Sequence, residues 1–381
     1  MIAERVKKIP FSGIRKFFDV VSKRKDVVSL GVGEPDFPTP DPMKQAAIES
    51  IEEDYNSYTS NYGLIELREK IAKKLKEENR LRFNPENQVL VTTGTSESLD
   101  LAFRAILNPG EEVIVPEPSY VAYKPCVWFA HCKPVPVVMR EEDEFRVDPD
   151  DIGKAVTKKT KAIIVASPNN PTGSVLRKGD LEEIADIAIE HGLVVISDEL
   201  YEYLLYDDVK HHSIGSFNGM ANRTITINGF SKGYAFTGWR LGYAAGSVEI
   251  IESMMKIHQY TMLSAPTVAQ YAALAFDKCG KYVREMVREY DSRRRLLVKG
   301  LNEVDGVSCI MPKGAFYAFP NVKETGLSSE DFAQRMLDEA KVAMVPGSTF
   351  GESGEGYVRC SYSVSRETIQ EALERMRKFK A

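Results

Sequence analysis

From about residue 41 the chain alternates amphipathic stretches with short apolar runs. Leu64, Leu67, Ile71 and Leu75 recur at helical spacing, and Asp41-Pro42 has the form of a helix cap followed by proline in the first turn. Short runs rich in β-branched residues predict strands at Val89 to Val91, Val113 to Val115, Val135 to Val138, Ile163 to Val165, Val194 to Ile196 and Ile225 to Ile227. Helical stretches separate most of them, which is the pattern of an α/β protein whose mainly parallel sheet is covered on both faces. After about residue 265 the pattern changes. Tyr282 to Val298 reads as a long charged helix leading into a smaller α+β part, which contains Gly314 to Phe319 and ends in the helix after Ser365. The expected division is a large domain at 41–275, a small domain at 276–381, and a segment at 1–40 that packs on the small domain. Neither an internal repeat nor a low-complexity stretch is visible.

Composition narrows the function. The 381 residues suffice for an enzyme, at ~150 residues per domain. Lys and Arg total 50 against 55 Asp and Glu, a net charge of -5 with no basic block, so no nucleic-acid partner is expected. No apolar run approaches the ~18 residues of a membrane span, and Met1 to Pro10 is too charged for a secretory leader. A soluble cytoplasmic protein without membrane contact is the expectation. Five cysteines without a Cys-x-x-Cys pair suit reduced thiols. The histidines form no His-Glu-x-x-His helix, and adjacent His211 and His212 cannot share one helical face, so no metal is expected.

In an open parallel sheet, ligands bind beyond the carboxyl ends of the strands, so polar residues after each apolar run are the candidates. Thr92-Thr93-Gly94-Thr95-Ser96-Glu97 precedes a helix from Leu99 to Leu107. Free N–H groups at that helix start, beside Thr and Ser hydroxyls, suit a phosphate dianion, although an ordinary helix cap explains the residues as well. Ser167-Pro168-Asn169-Asn170-Pro171-Thr172-Gly173 is a stiffened turn that offers the Asn170 side chain to a ligand oxygen. Asp198 follows a strand, with Tyr201 three residues on; such a carboxylate is commonly a cap, or it faces a cationic ring nitrogen. Gly229-Phe230-Ser231-Lys232-Gly233 follows another strand, and Arg240 lies eight residues past Lys232, whose plainer reading is a solvated surface amine. Arg359 stands in the apolar run Gly356 to Tyr362, where its planar fork needs an anion, either a ligand carboxylate or a protein acid.

Rival motifs fit less well. Gly229 to Gly233 also matches the Gly-x-Ser-x-Gly elbow of an α/β-hydrolase with Ser231 as nucleophile, but only His258 follows it, with no Asp between. Gly31-Val32-Gly33 has Asp36 where a dinucleotide fingerprint needs its third glycine. Lys154 and Lys281 follow glycines without the Ser or Thr of a Walker loop.

Taken together the motifs resemble the class I and II aminotransferases, fold type I pyridoxal-phosphate enzymes of the aspartate and aromatic aminotransferase kind. The resemblance runs from Ser29-Leu30-Gly31-Val32-Gly33-Glu34-Pro35-Asp36-Phe37 through Ser167 to Gly173 and Ser231 to Arg240, and on to the stretch from Val345-Pro346-Gly347-Ser348-Thr349-Phe350-Gly351 to Tyr362. It implies that Lys232 holds pyridoxal 5'-phosphate as a Schiff base and that Asp198 pairs with the pyridine nitrogen. By the same resemblance Asn170 and Tyr201 donate to the phenolic oxygen, and Tyr120 stacks on the ring. Thr95, Ser96, Ser231 and Arg240 match phosphate-binding positions, and Tyr58 matches a tyrosine reaching the neighbouring subunit's phosphate. Arg359, with Asn170 and the Gly33 backbone, corresponds to the clamp on the substrate α-carboxylate. The family fold also implies cis peptide bonds before Pro118 and Pro171.

The implied activity is ping-pong transfer of an amino group from an L-amino acid, aspartate or aromatic, to a 2-oxo acid such as 2-oxoglutarate. A homodimer with active sites at the subunit interface is implied as well. A β-elimination lyase on the same cofactor is the alternative, since the same Lys, Asp and Arg support it. Gly229 departs from members with serine there, and no second Arg can be assigned to a side-chain carboxylate. Phe11, Ile14 and Tyr62 are candidates for an apolar lid.

Overall fold

The computed structural model describes residues 26–379, together with residues 2–7, 9, 11, 13, 14 and 24. In chain order its strands are β1 (Val28–Ser29), β2 (Val89–Thr92), β3 (Glu112–Glu117), β4 (Lys133–Val138), β5 (Thr160–Ala166), β6 (Val194–Asp198), β7 (Thr224–Gly229) and β8 (Gly242–Ala245). Then come β9 (Tyr317–Ala318), β10 (Val342–Ala343), β11 (Val345–Pro346) and β12 (Val358–Ser361). A seven-stranded sheet has the order β2-β8-β7-β6-β5-β3-β4, and within it only β8 runs against its neighbours. All six predicted strands are therefore present, in a mainly parallel sheet.

Alternation explains why these runs carry so little polar residue. On β3, Val113 and Val115 enter one buried cluster while Ile114 enters another; on β5, Ala162 and Ile164 divide from Ile163 and Val165 in the same way. Both faces are covered, so the middle of each strand is apolar, with Glu112, Glu117, Thr160 and Lys161 only at the ends. β8, Gly-Tyr-Ala-Ala, had no β-branched residue to announce it. Its small residues are required by space: a Cβ on Gly242 would lie 2.6 Å from the Thr95 nitrogen.

Among the helices, Ile65–Glu78 buries Leu67, Ile71 and Leu75 as predicted. The long helix Gly280–Leu301 and the terminal helix Arg366–Met376 are also present, the latter capped by the Ser365 side chain on the Thr368 N–H. Asp41 departs from expectation. It is the first residue of the helix Asp41–Glu52 rather than its cap: Pro40, fixed at φ -54, opens the helix, and the Asp41 carboxylate pairs with Lys44 one turn on.

The chain's last third builds an antiparallel sheet of order β11-β12-β9, and β10 pairs in parallel with β1. Of the predicted segment 1–40, this pairing ties residues 28 and 29 to the terminal part; residues 1, 8, 10, 12, 15–23 and 25 lie outside the described residues. Arg294, fully buried, fastens the long helix to the rest. It donates to both oxygens of Asp207 (2.9 and 2.8 Å), to Asp291 and to the Pro312 carbonyl (2.6 Å), with its guanidinium 4.5 Å from the Tyr206 ring.

The Arg294 bonds, with Lys313, hold the Asp207 carboxyl far below the usual carboxylate range. A group depressed in the folded state contributes stability above its unfolded pKa and loses it as pH falls. Arg294→Met is expected to lower unfolding stability by roughly 3 kcal/mol at neutral pH, because it strips a buried ion pair of one partner. The deficit should shrink below about pH 4. Urea midpoints followed by circular dichroism check this, and a pH-independent deficit would contradict it.

Candidate active site

β6 and β7 lie side by side and parallel, with Asp198 in register with Ile227. Asp198 ends β6, and Lys232 follows the end of β7 by three residues, so the register delivers a carboxyl and an amine to one edge. Tyr123 donates its hydroxyl to Asp198 Oδ2 at 2.8 Å, and the Leu200 N–H donates to Oδ1 at 3.2 Å. Burial raises the Asp198 pKa above the ordinary aspartate value, against the pull of these two bonds. The Lys232 ammonium donates to the Gly33 carbonyl at 2.7 Å, and burial pushes it down to about 8.

At one end of this pair lies the start of the helix Thr95–Ile106. The N–H groups of Thr95 and Ser96 have no acceptor among the described residues. Gly94 precedes them at φ +75, and a Cβ there would lie 2.5 Å from Arg240 Nη2. Only glycine lets the guanidinium cross the helix start. Arg240 itself adopts φ +57 and donates to the Thr237 carbonyl at 3.1 Å. The Glu97 carboxylate fixes the loop from behind, accepting from the Thr93 N–H (2.5 Å) and meeting His258 Nδ1 at 2.6 Å. His258, the one histidine downstream of Ser231, is thereby engaged away from any hydrolase triad. Gly229 leaves no space for the serine of other members, since a Cβ would lie 2.9 Å from the Gly242 Cα.

At the other end stands Arg359, on β12 and buried. Its Nη1 donates to Asn170 Oδ1 (2.9 Å) and its Nη2 to the Gly31 carbonyl (2.8 Å). The Tyr317 ring lies 4.4 Å from the guanidinium and the Phe350 ring 5.0 Å. No carboxylate pairs with it among the described residues, and its buried Nε has no partner. The contact with Arg359 also orients the Asn170 amide, oxygen toward the guanidinium, so Nδ2 is left for a ligand. Tyr201 and Tyr317 share a hydroxyl bond of 2.9 Å.

A cavity of about 480 Å³ joins the two ends. Gly33, Thr95, Ser96, Tyr120, Asn170, Asp198, Tyr201, Ser231, Lys232, Arg240 and Arg359 all line it. Of the predicted site residues Tyr58 alone lies elsewhere, 81% exposed. Tyr123, Tyr317 and Glu34 also line the cavity and were not predicted. Tyr123 stands three residues after Tyr120, across a turn closed by its N–H on the Tyr120 carbonyl at 3.1 Å, and its ring meets Tyr120 edge-on, a spacing that could have signalled it. Of the three lid candidates only Ile14 lines the cavity. Phe11 is 99% exposed, and Tyr62 packs on the cluster around Leu90 and Leu99. The peptide bonds before Pro118 and Pro171 are cis, and so is the one before Pro168.

Among the described residues, one group of His and Glu side chains gathers closely outside the cavity. Glu199, Glu202 and His211 bring three potential metal ligand atoms within 4.8 Å of one another, a trio not visible as a motif. Lys74 and Asn79 already occupy its carboxylates.

The family described as aminotransferase class I and II matches residues 25–376. An aspartate aminotransferase of Pyrococcus abyssi is 51% identical, over 99% of this chain and 97% of its own. An aromatic-amino-acid aminotransferase of Thermococcus litoralis is 47% identical over 99% of this chain and 97% of its own. The crystal structure of an aromatic aminotransferase from Pyrococcus horikoshii superposes with a TM-score of 0.91 at 50% identity, covering 95% of this chain and 98% of that one. The donor set suits pyridoxal phosphate: unbonded helix N–H groups beside a guanidinium, an amine with a lowered pKa, and a buried carboxyl beyond it. A match of this extent, on a fold and a site of this kind, places the chain in aminotransferase class I and II, a family of pyridoxal-phosphate-dependent enzymes.

Proposed function

We propose that the enzyme transfers the amino group of aspartate or of an aromatic L-amino acid to a 2-oxo acid, 2-oxoglutarate being the expected acceptor. The observation that carries this reading is Arg359, a buried guanidinium without a counter-ion among the described residues, on the wall that Lys232 shares. A fork in that state suits the α-carboxylate common to every amino and 2-oxo acid. Relatives named as aspartate and aromatic aminotransferases support the donor classes. Ile14, Val121 and Leu200 offer an aromatic side chain an apolar wall.

Lys232 Nζ would hold the cofactor's aldehyde carbon, and Asp198 would face the pyridine nitrogen. Asn170 Nδ2 and the Tyr201 hydroxyl would meet the phenolic oxygen, and Tyr120 would lie against the ring. Thr95, Ser96, Ser231 and Arg240 would bind the phosphate. When bound, the cofactor supplies an electron sink for the pair left on the substrate Cα. The chain's own contribution is position and proton transfer. A pKa of about 8 leaves part of the Lys232 amine neutral near pH 7, and once free of the aldehyde carbon it would take the Cα proton and deliver it to that carbon, two bonds away. Arg359 and Asn170 fix the carboxylate and so select the bond to Cα that breaks.

The reading includes a cytoplasmic homodimer. Five free cysteines suit a reducing compartment, and among the described residues no helix is long and apolar enough to cross a membrane. Tyr58, Tyr260, Met262 and Ile51 are exposed, and Asn61 Nδ2 ties the segment of Tyr58 to that of Met262 by donating to the Leu263 carbonyl at 2.7 Å. On a second copy Tyr58 would reach the phosphate site.

Single-turnover spectra of the loaded enzyme against a panel of amino acids should show its cofactor band converted by aspartate or by aromatic donors. Keto acid released in many-fold excess over enzyme sites without any acceptor would mark β-elimination instead, because amino transfer stops at one equivalent per site until a 2-oxo acid is supplied. Arg359→Lys should raise KM for every donor by roughly 10- to 100-fold through loss of the bidentate fork, with a smaller change in kcat; an unchanged KM contradicts the assignment. Tyr58→Phe should weaken cofactor retention by about tenfold, the worth of one charge-assisted hydrogen bond. Unaltered retention, or a monomer in sedimentation, contradicts the shared site.

A further inference from the structure

Glu199 directly follows Asp198, and its N–H donates to the Ile227 carbonyl at 2.9 Å, which continues the β6–β7 ladder past the catalytic edge. Its carboxylate is buried outside the active-site cavity. Oε1 accepts from Ser197 Oγ at 2.8 Å. Oε2 accepts from Ser213 Oγ at 2.6 Å and Asn79 Nδ2 at 3.2 Å, and lies 2.9 Å from His211 Nε2. The neighbouring carboxylate, Glu202, accepts from Lys74, from Asn79 Nδ2 (2.8 Å) and from Asn228 Nδ2 (2.7 Å). Asn228 in turn accepts from the Gly229 N–H at 2.7 Å, three residues before Lys232.

Two buried carboxylates thus face one ammonium and one imidazole. Their charges balance only when His211 carries its second proton. With His211 neutral, Glu199 is left with neutral donors alone, and its charge opposes the ionisation of Asp198, whose pKa burial has already raised.

We propose that His211 is a positioning residue for amino transfer: its proton balances Glu199 and thereby keeps Asp198 ionised toward the pyridine nitrogen. The inference rests on the placing of Asp198 against that nitrogen.

The surroundings favour the charged imidazole. Burial lowers the His211 pKa, but Glu199 and Glu202 outweigh it against Lys74, and the ring stands above its ordinary value. A cleft of about 680 Å³ is lined by Arg80, Lys178, Lys210 and His212 as well as His211. Those four basic groups, with Glu78 on the same wall, complete the charges facing the dyad. As pH rises through the His211 pKa, Glu199 loses its counter-charge and Asp198 becomes harder to ionise.

The test is retention of pyridoxal phosphate by the holoenzyme, measured by dialysis and absorbance from about pH 6 to about pH 10. His211→Asn should weaken retention about tenfold at the acid end, equivalent to one pKa unit. Its curve should meet the wild-type curve once His211 in the wild type has lost its proton. A Glu199→Gln, His211→Asn double variant, with both charges gone, should retain cofactor like the wild type at the acid end. A constant displacement at every pH, or a double variant no better than the single one, overturns the proposal. Should the single variant not fold, Glu199→Gln alone must lack the alkaline fall in retention, and a wild-type fall there also overturns it. Asp198→Asn separates the two readings. If it holds cofactor as tightly as the wild type, the placing of Asp198 fails; if it loses cofactor while the His211→Asn curve runs parallel to the wild type, only the His211 proposal fails.

Discussion

Charge taken out of water without a built-in counter-ion is the constraint from which the rest of the structure follows. Asp198, Lys232 and Arg359 all face one cavity, yet no two of them form an ion pair among the described residues. A protein that merely needed stability would pair or remove them, because unpaired buried charge is costly. Here each is held by neutral partners instead: Asp198 by a tyrosine hydroxyl and a backbone N–H, Lys232 by a carbonyl, Arg359 by an amide and a carbonyl. Those partners fix direction while leaving the charge available. The shifts of Asp198 upward and of Lys232 downward express that cost, and ligands carrying the complementary charges would relieve it.

The parallel sheet makes such an arrangement affordable in structural terms. β6 and β7 end side by side, so two residues 34 positions apart in the chain arrive at one edge without a special loop. β8, wedged between β2 and β7, must be thin because the helix start at Thr95 rests against it. Gly94 and Gly242 therefore serve one purpose, letting the helix start at Thr95, β8 and the Arg240 guanidinium approach one another closely. Behind the edge, the network of Glu199, Glu202, Lys74, His211, Asn79 and Asn228 stiffens both strand ends at once.

Much of this was legible in the chain before any coordinates. Strands covered on both faces announce themselves as β-branched runs, and the polar residues after them are few enough to inspect one by one. Lys232, Asp198, Asn170 and Arg359 were singled out that way and all line the cavity, while their proposed roles come from the resemblance. What stayed hidden has physical causes. β8 was missed because its residues were chosen for size rather than β-propensity. Tyr123 and Tyr317 act through hydroxyl bonds to partners 75 and 116 residues away, which no local pattern records. Asp41 was misread because Pro40 can open a helix without a side-chain cap. Phe11 and Tyr62 are apolar like Ile14, and only the third dimension shows that one of the three lines the cavity.

The most direct test of the central claim is chemical. Reducing the holoenzyme with labelled borohydride and mapping the digest should place a single pyridoxyl label on the peptide that contains Lys232, since among the described residues that amine alone stands at the cavity with its pKa brought down to about 8. A label on any other lysine, or none, would contradict the account.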